Sequence, residues 1–414
     1  MDPPGTPAAR FVALDVHKDY VVVAAVDREQ RVVLPPRRLS LPELDDWATR
    51  SLRPTDAVVL EATTNAWHLH DRLRPLVGSV AAAHPQMVKL ITAARVKTAP
   101  RDALHLARLL AAGLVPTVWV PPAEVRALRA LVAHRRRLVA QRTQVRNRLQ
   151  SILHEHRIVP PVGKLFAAAQ RAWWDGLELG ASTALRVRQD LAVLAGLEPL
   201  VAAADDEPGR LSTVEPWAAR VAYLVQLPGI GLLSAMTLLA GIGDVARFPT
   251  AKQLVGYAGL GAQVHDSGQV HRRGGITKQG RRELRATLVE AAWTAVQTHP
   301  YWRAAFGRPE QRIGRHKAIV AVARKLLVVA WHVLTGQTAD RNADPVRVAF
   351  KLRAWAWDVG RGHRRGVSTG AFVRRELTRL RLGDGLTTLT QGGRGFRLPP
   401  ADTPGAPAPV GAPG

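Results

Sequence analysis

Two acids sit at the ends of short apolar runs. Asp15 lies in Phe11–Val16 (FVALDV), and Glu61 directly follows Ala57–Leu60 (AVVL). Runs of this length and β-branched content read as buried strands. Carboxylates at the ends of adjacent strands commonly build metal-dependent phosphoryl-transfer sites, because Mg²⁺ prefers hard oxygen ligands and keeps positions open for phosphate oxygens and water. Each acid also has a structural alternative: strand-end acids cap turns, and Glu61 can serve a helix starting near Thr63–Asn65. A second candidate is Pro228-Gly229-Ile230-Gly231 ahead of an apolar helix at Leu232–Ala240. Backbone N–H groups at Gly229 and Gly231 can grip a phosphate without reading sequence. Arg272, Arg273, Lys278, Arg281, Arg282 and Arg285 follow in a glycine-rich segment, Ser267 to Arg285. Beside them, Ser267 in His265-Asp266-Ser267-Gly268 is a hydroxyl that could attack phosphorus while arginines hold the phosphate oxygens, although a Ser-Gly pair in a loop is ordinarily a turn.

Composition points the same way. Lys+Arg 58 against Asp+Glu 33 leaves +25 in 414 residues, which calls for a polyanionic partner, usually nucleic acid. Codon bias explains Arg replacing Lys, but not the surplus over acids. The absence of cysteine excludes disulfide scaffolds, thiolate metal sites and cysteine nucleophiles. Hydrophobic residues at 47% support a sizeable core. The most apolar stretch, Ala318–Leu334, is interrupted by Arg324, Lys325 and His332, short of the ~18 uninterrupted residues of a membrane helix. Met1–Ala9 lacks the pattern of a secretion signal. The expectation is a cytoplasmic protein that does not engage membranes.

The elements that must position these groups divide the chain. Residues 10–115 read as α/β, with a further strand at Ser79–Ala83 and helices such as Leu41–Arg50 and Trp67–Leu76. The Pro-rich Val115–Pro122 marks a boundary. Residues 116–220 form a helical linker. Within it, 124–157 is one long basic helix with Leu131, Leu138, Val145 and Ile152 at heptad spacing and Leu128, Arg135, Arg142 and Leu149 as companions, a coiled-coil arm expected to pair with another helix or subunit. Arg135 and Arg142 count among the expected nucleic-acid contacts. A break is expected at Asp205–Gly209. Residues 221–338 form a mainly helical third unit. Residues 339–398 read as a solvated basic extension, and residues 1–9 and the Pro/Gly-rich 399–414 as disordered ends.

Taken together, these motifs resemble the DEDD insertion-sequence transposases, a family that includes pilin-gene invertases. Asp-Val-His-Lys at 15–18, Leu-Glu-Ala-Thr at 60–63, Val96-Lys97-Thr98 and Arg101-Asp102-Ala103 match its N-terminal half. Leu-Pro-Gly-Ile-Gly at 227–231, Ile-Gly-Asp-Val-Ala-Arg-Phe at 242–248, Gly-Tyr-Ala-Gly-Leu at 256–260, Asp-Ser-Gly at 266–268 and Gly-Gly-Ile-Thr-Lys-Gln-Gly at 274–280 match the C-terminal half. The likeness runs from about residue 10 to 335. It implies an α/β RNase H-like (RuvC-like) N-terminal domain, a helical arm and a mainly helical C-terminal domain with a helix-hairpin-helix element. It implies a recombinase in which Asp15, Glu61 and Asp102 bind Mg²⁺, or Mn²⁺, and Ser267 is the nucleophile. Implied partners are double-stranded DNA of its own element and target, in some members a structured guide RNA, and further copies of the chain as a dimer or tetramer, in the bacterial nucleoid.

One position departs from the family pattern. Its third acid falls at Ala99, in Lys97-Thr98-Ala99-Pro100-Arg101-Asp102, and the helix bearing Asp102 is expected to start at or after Pro100. A decayed copy, a site that needs only three acids, and a replacement ligand at His105, one turn from Asp102, are the three accounts. Two other activities stay open beside recombination: a hydrolytic junction nuclease, which needs the acids but not Ser267, and a catalytically impaired nucleic-acid-binding remnant.

Overall fold

The computed structural model describes residues 8–63, 65–91, 98–267, 270–391 and 394–401, with the side chains of 264–274 and 391–394 outside the description. Of the ends expected to be disordered, 1–9 and 399–414, residues 1–7 and 402–414 fall outside it. The chain forms two units, Met1–Pro122 and Ala123–Gly414.

The first unit is built on a six-stranded mixed sheet of order β3-β2-β1-β4-β5-β6. Its elements in chain order are β1 (Arg10–Val16), β2 (Tyr20–Val26), β3 (Val32–Ser40), α1 (Leu41–Ser51), β4 (Asp56–Glu61), α2 (Ala66–Leu73), β5 (Ser79–Ala83), α3 (Pro85–Ile91), α4 (Ala99–Ala111) and β6 (Thr117–Val118). β1 pairs antiparallel with β2 and parallel with β4, and β4 pairs parallel with β5. The central strands are Val-, Leu- and Ala-rich and buried on both faces, as a sheet covered by helices requires. One face, with Val12, Leu14, Val58 and Leu60, packs on Leu44, Trp47 and Leu69 of α1 and α2. The other, with Ala13 and Val59, packs on Leu106 and Ala107 of α4. β6 lies inside the Pro-rich stretch of the expected boundary and pairs with β5.

The second unit opens on α5 (Ala123–Glu155), followed by α6 (Arg171–Asp175), α7 (Ala181–Leu211), α8 (Ala218–Val225), α9 (Leu232–Ile242), α10 (Ala251–Tyr257), the β7 (Ala262–Ser267) and β8 (Val270–Ile276) hairpin, α11 (Arg282–Thr298), α12 (Pro300–Ile313) and α13 (Arg315–Gly336). α14 (Pro345–Asp358), α15 (Gly360–His363), α16 (Thr369–Arg379) and a hairpin of β9 (Thr388–Gln391) and β10 (Arg394–Arg397) complete it.

Two expectations about this unit are corrected. α7 runs unbroken through Pro199 and Pro208 where a break was expected, because its face of Leu191, Leu194, Leu197, Val201 and Ala204 is buried against α5 and outweighs the hydrogen bonds the prolines remove. The α5 heptads pair with another helix, as expected, and that helix is α7 of the same chain: Leu138, Val145, Leu149 and Ile152 share one core with it. The described residues of 339–398, expected to be a solvated basic extension, are folded, with Val348, Leu352, Trp355, Phe372 and Leu377 buried. α13 is long and apolar enough to cross a membrane by length and composition, yet Ile319, Val322, Leu326, Leu327 and Val333 are buried inside the unit.

Candidate active site and nucleic-acid interface

The sheet register brings the first two acids side by side. β1 and β4 run parallel with Leu14 opposite Leu60, so Asp15 and Glu61 are the next positions along neighbouring strands. Side chains alternate along a strand, so both belong to the face of Ala13 and Val59, the face covered by α4. Asp102 stands in the first turn of α4 and is exposed. Its negative charge reaches Asp15: burial is the main influence pushing the Asp15 carboxyl above the usual range, His17 opposes it, and Asp102 adds to it. The His17 ring lies 3.1 Å from Asp15 Oδ2 through Nε2 and stacks on Tyr20, with centroids 4.4 Å apart. α2 begins at Ala66, and its N-cap position is Asn65 rather than Glu61.

α4 starts at Ala99, one residue before the expected first position, with Pro100 in its first turn where no intrahelical N–H is needed. Ala99 packs against Val22, Ala24 and Ala103. Val22 is the β2 partner of Asp15, so the methyl group at 99 lies over the strand position next to that carboxylate. His105 is half-buried on α4. Among the described residues no group of three or more His, Asp or Glu is gathered closely enough to hold a metal ion. The donors nonetheless suit a hard cation: they are carboxylates, two are in register, and the charge of the third is felt at the first.

In the second unit, Ser267 is the last residue of β7, paired with Val270 across the hairpin turn. Arg272 and Arg273 lie on β8 opposite His265 and Val264; the side chains of Ser267, Arg272 and Arg273 are outside the described residues. Lys278 is exposed between β8 and α11, and its backbone N–H donates to the Gly259 carbonyl at 3.2 Å. Arg282 is exposed, and Arg285 donates to the carbonyls of Ala258 and Gly280. Arg281 donates to the Tyr257 hydroxyl at 2.8 Å.

The Pro228–Gly231 turn joins α8 to α9. Gly229 has φ +77°, and a Cβ there would collide with the Ala291 carbonyl oxygen, so this glycine is set by close packing on α11. Gly231 caps α9 and has open space where a Cβ would be. A cavity of about 680 Å³ adjoins the turn, lined also by His299, Arg347 and Lys351. Lys351 comes from α14, donates to the Leu227 carbonyl, and is pushed down to about 7 by burial. Its contribution was hidden in a segment that showed no clear periodicity.

The two arm arginines are engaged within the chain. Arg135 pairs with Asp205, and Arg142 lies 3.3 Å from Glu198, which Arg146 also binds at 2.6 Å. Arg148 reaches Asp190 at 2.6 Å. These pairs explain how a heptad seam tolerates arginine: the guanidiniums sit at its margin opposite acids of α7.

Sequence comparisons match segments of both units to transposase families. Residues 12–158 match the DEDD transposase family model of IS110 type, and residues 221–307 match that of the Transposase IS116/IS110/IS902 family. The Coxiella burnetii transposase for insertion sequence element IS1111A is 26% identical over 346 residues, covering 80% of this chain and 91% of that protein. The Sinorhizobium fredii transposase-type protein y4qE is 27% identical over 310 residues, 74% of this chain and 76% of the relative. The Moraxella bovis pilin gene-inverting protein is 36% identical over 119 residues, 28% of this chain and 37% of the relative. With paired strand-end acids in the segment matched by one model and the glycine turn and serine hairpin in the segment matched by the other, the chain belongs to the IS110 family of transposases.

Proposed function

We propose that this transposase cuts and rejoins the DNA of an insertion sequence, using the carboxylates of Asp15, Glu61 and Asp102 on an RNase H-like (RuvC-like) domain and the Ser267 hydroxyl as nucleophile. The observation that carries the reading is the β1–β4 register, which sets Asp15 and Glu61 side by side on the face covered by the helix of Asp102. The three carboxylates hold Mg²⁺, with Mn²⁺ as a substitute. The bound ion supplies charge neutralisation for the phosphate under attack. Ser267 Oγ bonds to a DNA phosphorus as the bond from that phosphorus to a deoxyribose oxygen breaks; the serine proton is lost and the freed oxygen gains one. The reverse step on another strand end frees the serine and rejoins DNA. The Gly229–Gly231 turn acts as a helix-hairpin-helix phosphate grip, and Arg272, Arg273 and Lys278 serve as further nucleic-acid contacts.

The excess of +25 suits double-stranded DNA of element and target and a structured guide RNA. The working protein is a dimer or tetramer in the bacterial nucleoid. Likeness to a protein named for inverting a pilin gene favours recombination over hydrolysis. The packing of Ala99 against Val22 and Ala24 favours a second reading, an impaired remnant that binds nucleic acid without cutting it.

A covalent-adduct assay tests these readings on DNA spanning the element junction, with Mg²⁺ and co-expressed RNA. Wild type, Ser267→Ala and Ala99→Asp are compared. An adduct from wild type that Ser267→Ala loses supports serine recombination with three acids. Cleavage that survives Ser267→Ala makes the protein a hydrolytic nuclease. An adduct from Ala99→Asp alone establishes the impaired remnant.

A further inference from the structure

We infer that the helical hairpin of α12 and α13 docks on the backbone of duplex DNA through Arg308, Arg312, Lys317 and Arg324, a role that rests on the DNA reading above and adds to it a surface with no part in the carboxylate or serine chemistry. Pro300–Gly336 carries seven Lys and Arg residues against one acid, Glu310. Three of the seven are occupied within the chain. Arg303 donates to the Gln297 carbonyl at 2.7 Å, the Arg315 guanidinium lies 4.9 Å from the Trp293 ring centre, and the Lys325 ammonium lies 4.9 Å from that of Tyr301. The other four, Arg308, Arg312, Lys317 and Arg324, are exposed. None of them makes a hydrogen bond, ion pair or ring contact among the described residues.

The plain alternative is a solvated face, and a helix C-terminus favours cations, which accounts for Arg312 in the last turn of α12. It accounts for less elsewhere. A helix N-terminus favours acids, yet the first turn of α13 holds Arg315, His316 and Lys317 and no acid. Arg308 and Arg312 are like charges four residues apart, a pairing that weakens a helix. The same chain matches its arginines on another long helix: Arg135, Arg142 and Arg148 of α5 each meet an acid of α7. Codon bias toward arginine would act on both places, so the missing acids are particular to α12 and α13. Neighbouring elements do not supply them. Of those packed on the hairpin, α8 and α10 contain no acid, and α11 contains Glu290 and Glu283, the latter held by Arg136 at 3.1 Å. The residues of this unit outside the description have two acids, Asp266 and Asp402, against Arg272, Arg273 and Arg394, and so add no net negative charge.

The partner follows from what accompanies the cations. Arg308 and Arg312 share one face of α12, and Lys317 and Arg324, two turns apart, share one face of α13. Long cationic side chains presented in rows suit phosphates, whose contacts position a nucleic acid without reading its sequence. A single strand would also want exposed aromatic rings to stack its bases. Here Trp302 and Phe306 are buried, and Trp293 and Tyr301 lie under Arg315 and Lys325. The surface therefore fits the outside of a duplex.

The test measures binding of a duplex DNA of arbitrary sequence across a salt series. Wild type is compared with the double variants Arg308→Gln/Arg312→Gln and Lys317→Gln/Arg324→Gln. The control, Arg186→Gln/Arg188→Gln, removes two exposed arginines of α7. All six positions are exposed, so each variant is expected to melt no lower than wild type, which thermal melts check. Each hairpin variant is expected to bind roughly tenfold more weakly and to lower the salt slope by about 1.8, the value of two lost phosphate contacts. The control loses the same net charge and is expected to change far less in both. Hairpin variants that match the control overturn the inference and leave the DNA reading standing; wild type without DNA affinity overturns both. A double-stranded RNA of the same length is titrated alongside. Hairpin variants that lose affinity for the RNA while keeping it for the DNA overturn the assignment to DNA.

Discussion

Replacing Trp355 by alanine measures whether the chain after Asp340 belongs to the core of the second unit. Trp355 of α14 is 2% exposed. Its indole N–H donates to Ser212 Oγ at 2.9 Å, and its ring meets Phe372 edge-on with centroids 4.8 Å apart. Truncating a buried tryptophan costs about 3–5 kcal/mol. The upper end applies here, because a buried hydrogen bond of about 1 kcal/mol and an aromatic pair of about 0.5–1.5 kcal/mol go with it. For a unit of this size the expected drop in Tm is roughly 10–15 °C. Trp355→Phe keeps most of the ring contact and removes the donor; Ser212 still donates to the Gly209 carbonyl at 2.6 Å, so the expected cost is only about 1–2 kcal/mol. Urea titration of both variants, monitored by far-UV circular dichroism, reads these differences. A loss below about 1 kcal/mol for Trp355→Ala would refute the reasoning and make α14 a loosely docked appendage.

Other perturbations have defined outcomes. Asp15 titrates above its ordinary value, so its folded form favours the proton, and the stability this gives is present in acid and lost as pH rises through the folded-state value. Asp15→Asn should therefore melt higher than wild type at neutral pH, with the difference vanishing in a series taken down to acid; a constant difference would refute this. Gly229→Ala meets both a left-handed backbone and the Ala291 carbonyl, and should destabilise by more than about 2 kcal/mol in the same titration. Glu198→Ala leaves Arg142 and Arg146 facing one another, but the site is half exposed, so about 1 kcal/mol is expected, shrinking at high salt.

The strands that hold the acids were legible because they are short, apolar and buried on both faces: Phe11–Val16, Val21–Val26, Ala57–Leu60 and Ser79–Ala83 all lie within β1, β2, β4 and β5. β3 was not, since Val32–Ser40 is an edge strand with two prolines and few buried residues, which a periodicity search passes over. The α5 heptads identified a helix seam without identifying its partner, because spacing shows that a face must be covered and not by what. The prolines of α7 suggest a stop only until the packing of Leu191–Ala204 is known. Acids at strand ends are visible one by one; that Asp15 and Glu61 are neighbours depends on the parallel register.

The α5–α7 pair has a mechanical consequence. Arg135–Asp205, Arg142–Glu198 and Arg148–Asp190 join the two antiparallel helices at successive points along their length, like rungs. Sliding one helix by a turn would mismatch every rung and every buried leucine together, so the pair has one permitted register. A helix of 33 residues spans about 50 Å, and one so stapled behaves as a spacer of fixed length rather than as a tether. Its length is adjustable only in whole heptads taken from both helices at once, each moving the far end by about 10 Å while keeping the same faces together. Shorter or unmatched deletions would rotate the seam out of contact, so this part of the chain tolerates change in steps and not continuously.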